Sequence, residues 1–182
     1  TLFGATPELL SFRRAVGYEL VRIGSSRGTR TGEPSAVMLR AGTERGAALI
    51  RSLREDLARD LPLQLELLEA EGELALDPRL ASSLGVGLEP AVELEQAAVR
   101  ARVQRYLAGP QTAQAAAYAL DRFVRMHGRE LASMEAKQRG LIEGRVVARR
   151  SWRRVAREAG YPSVPAAMRA LRPAIRVLYA LA

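Results

Sequence analysis

The chain has 182 residues with no cysteine, 48% hydrophobic residues and a formal charge of +8. That length suffices for one ordinary domain or two small ones without covalent staples, and the absence of cysteine excludes disulfides, thiolate metal sites and a cysteine nucleophile. No run of eighteen apolar residues occurs and no basic segment leads into an apolar N-terminal core, so neither a membrane span nor a signal peptide is expected, and the expected location is the cytoplasm.

The charge is divided unevenly. Residues 1–98 hold 11 basic and 15 acidic side chains, whereas residues 99–182 hold 17 basic and 5 acidic. Such asymmetry points to a polyanion as partner of the second half, with nucleic acid ahead of an anionic membrane. Lys137 is the sole lysine, so a preference for arginine explains the type of base used but not the shortage of acids there. The first residue is Thr1 rather than methionine, from which a piece of a longer chain or a processed product is expected.

In chain order, PELLSFRRAV at residues 7–16 predicts a helix, with Thr6 as N-cap, Pro7 at the first helical position, Leu9, Leu10, Phe12 and Val16 near helical spacing, and Gly17 as the stop. YELVRIGS and SAVMLRAG predict two strands around the turn SRGTRTGEP. Leu49, Ile50, Leu53 and Leu57 mark a helix expected to end at Pro62. LQLELLEA at residues 63–70 is read as helix, and GELALDPRLASSLGVGLEP as irregular connection, with a domain boundary near Glu89. Five helical segments follow, at 90–107, 111–127, 131–147, 151–159 and 164–181, the last expected to kink or break at Pro173.

The densest basic stretch is ARRSWRRVAREAG at residues 148–160. On a helix starting after Ser151, Trp152, Val155, Ala156 and Ala159 form the buried stripe, while Arg153, Arg154 and Arg157 face outward. Val164, Ala167, Met168 and Leu171 give the next helix its own stripe beyond Gly160, Tyr161 and Pro162. The pair has the outline of a helix-turn-helix. Its second helix, PSVPAAMRALRP, offers mostly alanine and two arginines, which suits phosphates better than base edges.

Residues 3–39, FGATPELLSFRRAVGYELVRIGSSRGTRTGEPSAVML, resemble the end of the acetyltransferase domain of bacterial tRNA(Met) cytidine acetyltransferases. The shared pattern is a Phe-Gly-Ala-Thr-x-Glu-Leu-Leu-x-Phe helix, a Gly-Tyr turn and a Val-Arg-Ile-Gly strand. The Gly-Arg-Val, Arg-Ser-Trp and Val-Ala-Arg-Glu segments between Gly144 and Glu158 are similar to the tRNA-binding tail of the same enzymes. The resemblance implies an α+β fold, mainly α. A terminal helix and two strands of a GNAT-like sheet would occupy residues 1–42, a helical connection 43–88, and a basic helical tRNA-binding domain 89–182.

It further implies a C-terminal part of an enzyme that forms N4-acetylcytidine at the wobble position of elongator tRNA(Met) from acetyl-CoA and ATP. Glu8, Arg13 and Arg14 would lie near acetyl-CoA. The family usually has Trp at the position of Arg13, a basic residue at that of Ala15, and His or Tyr at that of Pro34. The glycine-rich CoA loop and the P-loop are not in this sequence, so this part alone is expected to be inactive and to bind neither cofactor tightly. No catalytic or metal-ligating residue is assigned to it.

Its expected role is phosphate contact that docks tRNA, through Lys137, Arg139, Arg145, Arg149, Arg150, Arg153, Arg154, Arg157, Arg169, Arg172 and Arg176. Two rivals predict other outcomes. A helix-turn-helix DNA-binding regulator would bind duplex selectively, and a structural module docking on acidic protein would bind no nucleic acid at physiological salt. His127, the only histidine, sits before Gly128 at a helix end, where an imidazole near the last carbonyls is ordinary.

Overall fold

The structure is a computed structural model in which residues 1–28, 32–72, 75–109 and 111–182 are described. Its contacts divide the chain into two units, Thr1–Glu93 and Leu94–Ala182.

In the first unit, Thr6 caps α1 (Pro7–Ala15), its Oγ1 accepting from Leu9 N at 3.2 Å, and Gly17 ends the turn after the helix at φ 82°. Three strands form one antiparallel sheet: β1 (Leu2–Gly4), β2 (Glu19–Arg27) and β3 (Pro34–Leu39), in the order β1-β3-β2. Phe3 pairs with Ala36, and Leu20 with Met38. The sequence had suggested two strands. β1 escapes notice because three residues are too few to display alternation. Part of the turn between β2 and β3, residues 29–31, lies outside the described residues.

α2 (Glu44–Glu71) runs for 28 residues straight through Pro62, where a stop was expected. Proline removes one backbone donor and crowds the preceding turn, but Ile50, Leu57, Leu61, Leu67 and Leu68 stay buried on either side of it. Continuous burial outweighs one lost hydrogen bond. Leu49, assigned to the stripe, is 57% exposed instead.

The expected irregular connection contains α3 (Pro78–Gly85), capped by Asp77, whose Oδ1 accepts from Arg79 N at 2.8 Å. Leu80 and Leu84 of α3 share a core cluster with Leu57, Leu61 and Leu68 of α2, Leu10 of α1, and Leu20, Ile23, Ala36 and Met38 of the sheet. α2 and α3 thus supply one wall of this unit's core. Residues 73–74 lie outside the described residues.

Every regular element of the second unit among the described residues is helical. α4 (Gln96–Ala108) is followed by a 3-10 turn, Gln114–Ala116, then α5 (Ala117–Met126), α6 (Gly128–Ser133), α7 (Ala136–Ile142), a π-turn Glu143–Val147, α8 (Trp152–Glu158) and α9 (Val164–Leu181). Phe123, Leu120, Leu141, Ile142, Leu171, Ile175 and Leu178 are fully buried at its centre. Tyr179 stacks on Phe123, centroids 5.5 Å apart. α9 continues through Pro173 because Leu171, Ala174, Ile175 and Leu178 keep one buried face across it. The expected break is absent for the same reason as in α2. Pro110 lies outside the described residues. No helix among the described residues is long and apolar enough to cross a membrane.

Candidate nucleic-acid interface

The basic stretch is organised around α8. Ser151 caps it, its Oγ accepting from Arg154 N at 3.3 Å, and Val155 and Ala156 turn inward. Trp152 is half-buried against the core. After α8 the chain reverses at Gly160, φ 67°, with Tyr161 N donating to Ala156 O at 2.8 Å. Left-handed backbone of this kind favours glycine. Ser163 then caps α9 by accepting from Ala166 N at 3.3 Å.

Gly144 lets the π-turn approach α8: a Cβ there would lie 3.2 Å from Val155 Cγ2. Arg145 lies in this crowded region at 5% exposure, donating to Arg150 O at 2.8 Å with its guanidinium 4.5 Å from the Trp152 ring. It was expected to contact phosphate. It is a scaffold residue instead, since the stacking and the carbonyl bond both hold it inside.

The other basic candidates separate by what already holds them. Arg149 adopts φ 49° and faces the buried Asp121 at 3.6 Å, while its Nη1 donates to Val147 O at 2.8 Å. Asp121 also takes two bonds from Arg125, at 2.7 and 3.2 Å. Arg172 donates to Gln111 O at 2.7 Å and lies 4.8 Å from the Tyr106 ring, and Arg176 donates to Leu107 O at 3.0 Å. Burial raises the Tyr106 phenol pKa, with the charge of Arg172 opposing. Arg139 donates to Ala132 O at 2.9 Å, and Lys137 Nζ sits 4.6 Å from the Tyr161 ring.

Arg150 and Arg154 share one partner, Glu158, at 2.6 and 2.8 Å. Arg153, Arg157 and Arg169 are exposed and make no hydrogen bond or ion pair among the described residues. Exposed Arg105 and Arg129 are in the same condition and were not singled out from the sequence, because neither stands in a cluster of arginines. Exposed guanidinium groups without an internal acceptor are those free to take phosphate at no structural cost.

The candidates for acetyl-CoA lie in the first unit. Glu8 pairs with Arg79 at 3.3 Å, both exposed, and Arg14 Nη2 donates to Ser83 O at 2.6 Å. Burial, with the charge of Arg54 adding, holds the Arg14 pKa below its ordinary value. Arg13 lies among the rings of Phe3, Phe12 and Tyr18 at 5.7 to 5.9 Å, and its buried Nε has no hydrogen-bond partner among the described residues. Together Glu8, Arg13 and Arg14 do not fit a pyrophosphate cradle, which needs several convergent donors. No group of three potential metal ligands occurs among the described residues.

No family model matches the chain. A tRNA(Met) cytidine acetyltransferase TmcA of Haloferax volcanii is 31% identical over 179 residues, which is 97% of this chain and 23% of that protein. The chain is similar to TmcA over nearly all of its own length. A second TmcA, from Nitrosococcus halophilus, is 38% identical over 82 residues, 45% of this chain and 10% of the relative. The chain spans about a quarter of the length of the first of these curated relatives.

Proposed function

We propose that this chain is part of a TmcA-type RNA acetyltransferase and that its Leu94–Ala182 unit docks tRNA. The observation that carries the proposal is the similarity to a tRNA(Met) cytidine acetyltransferase along 97% of the chain. In the complete enzyme an acetyl group passes from acetyl-CoA to N4 of the wobble cytidine of elongator tRNA(Met), with ATP hydrolysed, in the cytoplasm. Acetyl transfer to an amine needs a held amine, a base for its proton and a polarised thioester carbonyl. This chain contributes the holding. Arg153, Arg157 and Arg169, exposed and uncommitted, meet the backbone, and the scaffold of Arg145, Trp152 and Gly144 keeps α8 in place. Phosphate contacts set position and affinity, while RNA shape supplies selectivity.

A direct test is fluorescence anisotropy of the chain with unmodified tRNA(Met) and with duplex DNA of similar length across a range of salt. Tighter binding to tRNA is expected, and Arg153→Ala, Arg157→Ala and Arg169→Ala combined should flatten the log–log salt slope by about three, roughly one per lost phosphate contact. A preference for duplex would favour a DNA-binding regulator. Absence of binding to either would overturn tRNA docking.

A further inference from the structure

Glu158 is the one acid in ARRSWRRVAREAG, and it stands among five arginines of the same stretch. Its two carboxylate oxygens are divided between two of them: Oε2 takes Arg150 Nη1 at 2.6 Å and Oε1 takes Arg154 Nε at 2.8 Å. All three side chains lie in solvent, with exposures of 41%, 55% and 37% for Arg150, Arg154 and Glu158. Exchange of the partner therefore requires no opening of the core. A phosphate presents the same chemistry as the carboxylate, two or more anionic oxygens matched to guanidinium donors.

We infer that Glu158 sets the affinity of this surface for RNA: it holds Arg150 and Arg154 as an internal competitor until a backbone phosphate displaces it. The inference rests on the proposed tRNA docking. In the unliganded protein the carboxylate cancels one of the two arginine charges, which weakens the long-range attraction of the cluster. Arg153, Arg157 and Arg169 act on a polyanion from a distance with their full charge. Close approach lets phosphate replace the carboxylate, and the released Glu158 then repels the neighbouring phosphate. Affinity is thereby lowered and made dependent on correct seating, since a loosely placed polyanion does not reach the clipped pair. The carboxyl of Glu158 is held below the ordinary glutamate value, first by the hydrogen bond from Arg154 and also by Arg150, which agrees with a charged competitor at neutral pH.

The test is Glu158→Gln in the full chain, which keeps the side chain's shape and removes its charge. Dissociation constants for unmodified tRNA(Met) are measured between about 50 and 300 mM salt. Binding at about 0.1 M salt should tighten about three- to tenfold, as expected when two exposed ion pairs no longer compete. The salt slope should steepen by about one, because the carboxylate that the wild type releases offsets one of the charges brought to the RNA and the glutamine does not. In an Arg150→Ala, Arg154→Ala background the same substitution should tighten binding by clearly less, since only the repulsion between Glu158 and phosphate is then relieved; an equal gain in both backgrounds overturns the competitor. Glu158→Ala, with a thermal melt beside it, guards against a folding defect.

Unchanged or weaker binding by Glu158→Gln, with the wild type still binding, overturns the competitor and leaves tRNA docking standing. Weaker binding together with a lowered melting temperature identifies Glu158 as a helix clamp instead. If neither protein binds at the lowest salt, docking itself fails and this inference fails with it.

Discussion

Asp121→Ala perturbs the link between α5 and the segment that leads into α8. The Asp121 side chain is 10% exposed and receives two hydrogen bonds from Arg125, which is half in solvent. It also faces Arg149, 20% exposed, at 3.6 Å. The pair with Arg125, spaced i to i+4 on an accessible helix face, contributes about 0.5 kcal/mol. The larger part comes from Arg149, whose guanidinium loses its carboxylate while remaining largely buried. A fully buried broken pair costs about 3–5 kcal/mol, and the partial exposure here reduces that to about 1.5 kcal/mol. The sum is about 2 kcal/mol, and for a unit of this size that lowers its melting temperature by about 10 °C.

Arg149 also holds φ 49°, a conformation that costs a residue with a side chain about 1 kcal/mol or more. Arg149→Gly should therefore destabilise by less than Asp121→Ala, because relief of the backbone offsets part of the lost pairing. Thermal and urea unfolding followed by circular dichroism measure both. A loss below about 0.5 kcal/mol for Asp121→Ala would refute the assignment of Asp121 as the anchor of the Arg149 turn, since that is the range of an ordinary surface substitution.

Two further outcomes follow from backbone and charge. Gly160→Ala should destabilise by about 1 kcal/mol, because no atom crowds a Cβ there and the whole penalty is the φ of 67°, whereas Gly140→Ala, within α7 with ordinary space to the Ala159 Cβ at 3.9 Å, should stabilise by about 0.5–1 kcal/mol; the same melts read both, and equal signs would contradict the contrast. Glu158 should titrate below the ordinary value of 4.5 by carboxyl-carbon NMR and move upward when Arg150 and Arg154 are replaced by alanine. Its folded value is depressed, so its contribution to stability is present above the unfolded value and lost as pH falls through the folded one, and an unchanged titration in the double variant would remove the pairing as its cause.

Much of the molecule is legible in local sequence. Thr6, Ser151 and Ser163 announce helix starts, and Gly17 and Gly160 announce reversals, because capping and positive φ are decided within a few residues. The apolar stripe of α8 is likewise a matter of helical period, and Val155 and Ala156 are buried where it places them. The division of charge is a property of composition alone. Resemblance of residues 3–39 and 144–158 to the TmcA pattern was also available before any coordinates, and the similarity extends along the chain.

What required the tertiary structure was the fate of particular residues whose partners are distant in sequence. Pro62 and Pro173 read as stops from local rules, yet packing on both sides of each proline carries α2 and α9 through. The stretch around Asp77 read as irregular connection, but α3 is a helix because Leu80 and Leu84 have a core to enter. The arginines look alike in sequence. Arg172 is tied to Gln111 and Arg176 to Leu107, 61 and 69 residues away, while Arg145 is enclosed by Trp152 and Arg153 is left in solvent. Sequence determines that a guanidinium is present and charged. Whether it holds the fold or waits for an anion depends on which acceptors lie within about 3 Å of it, and only folding brings those acceptors there.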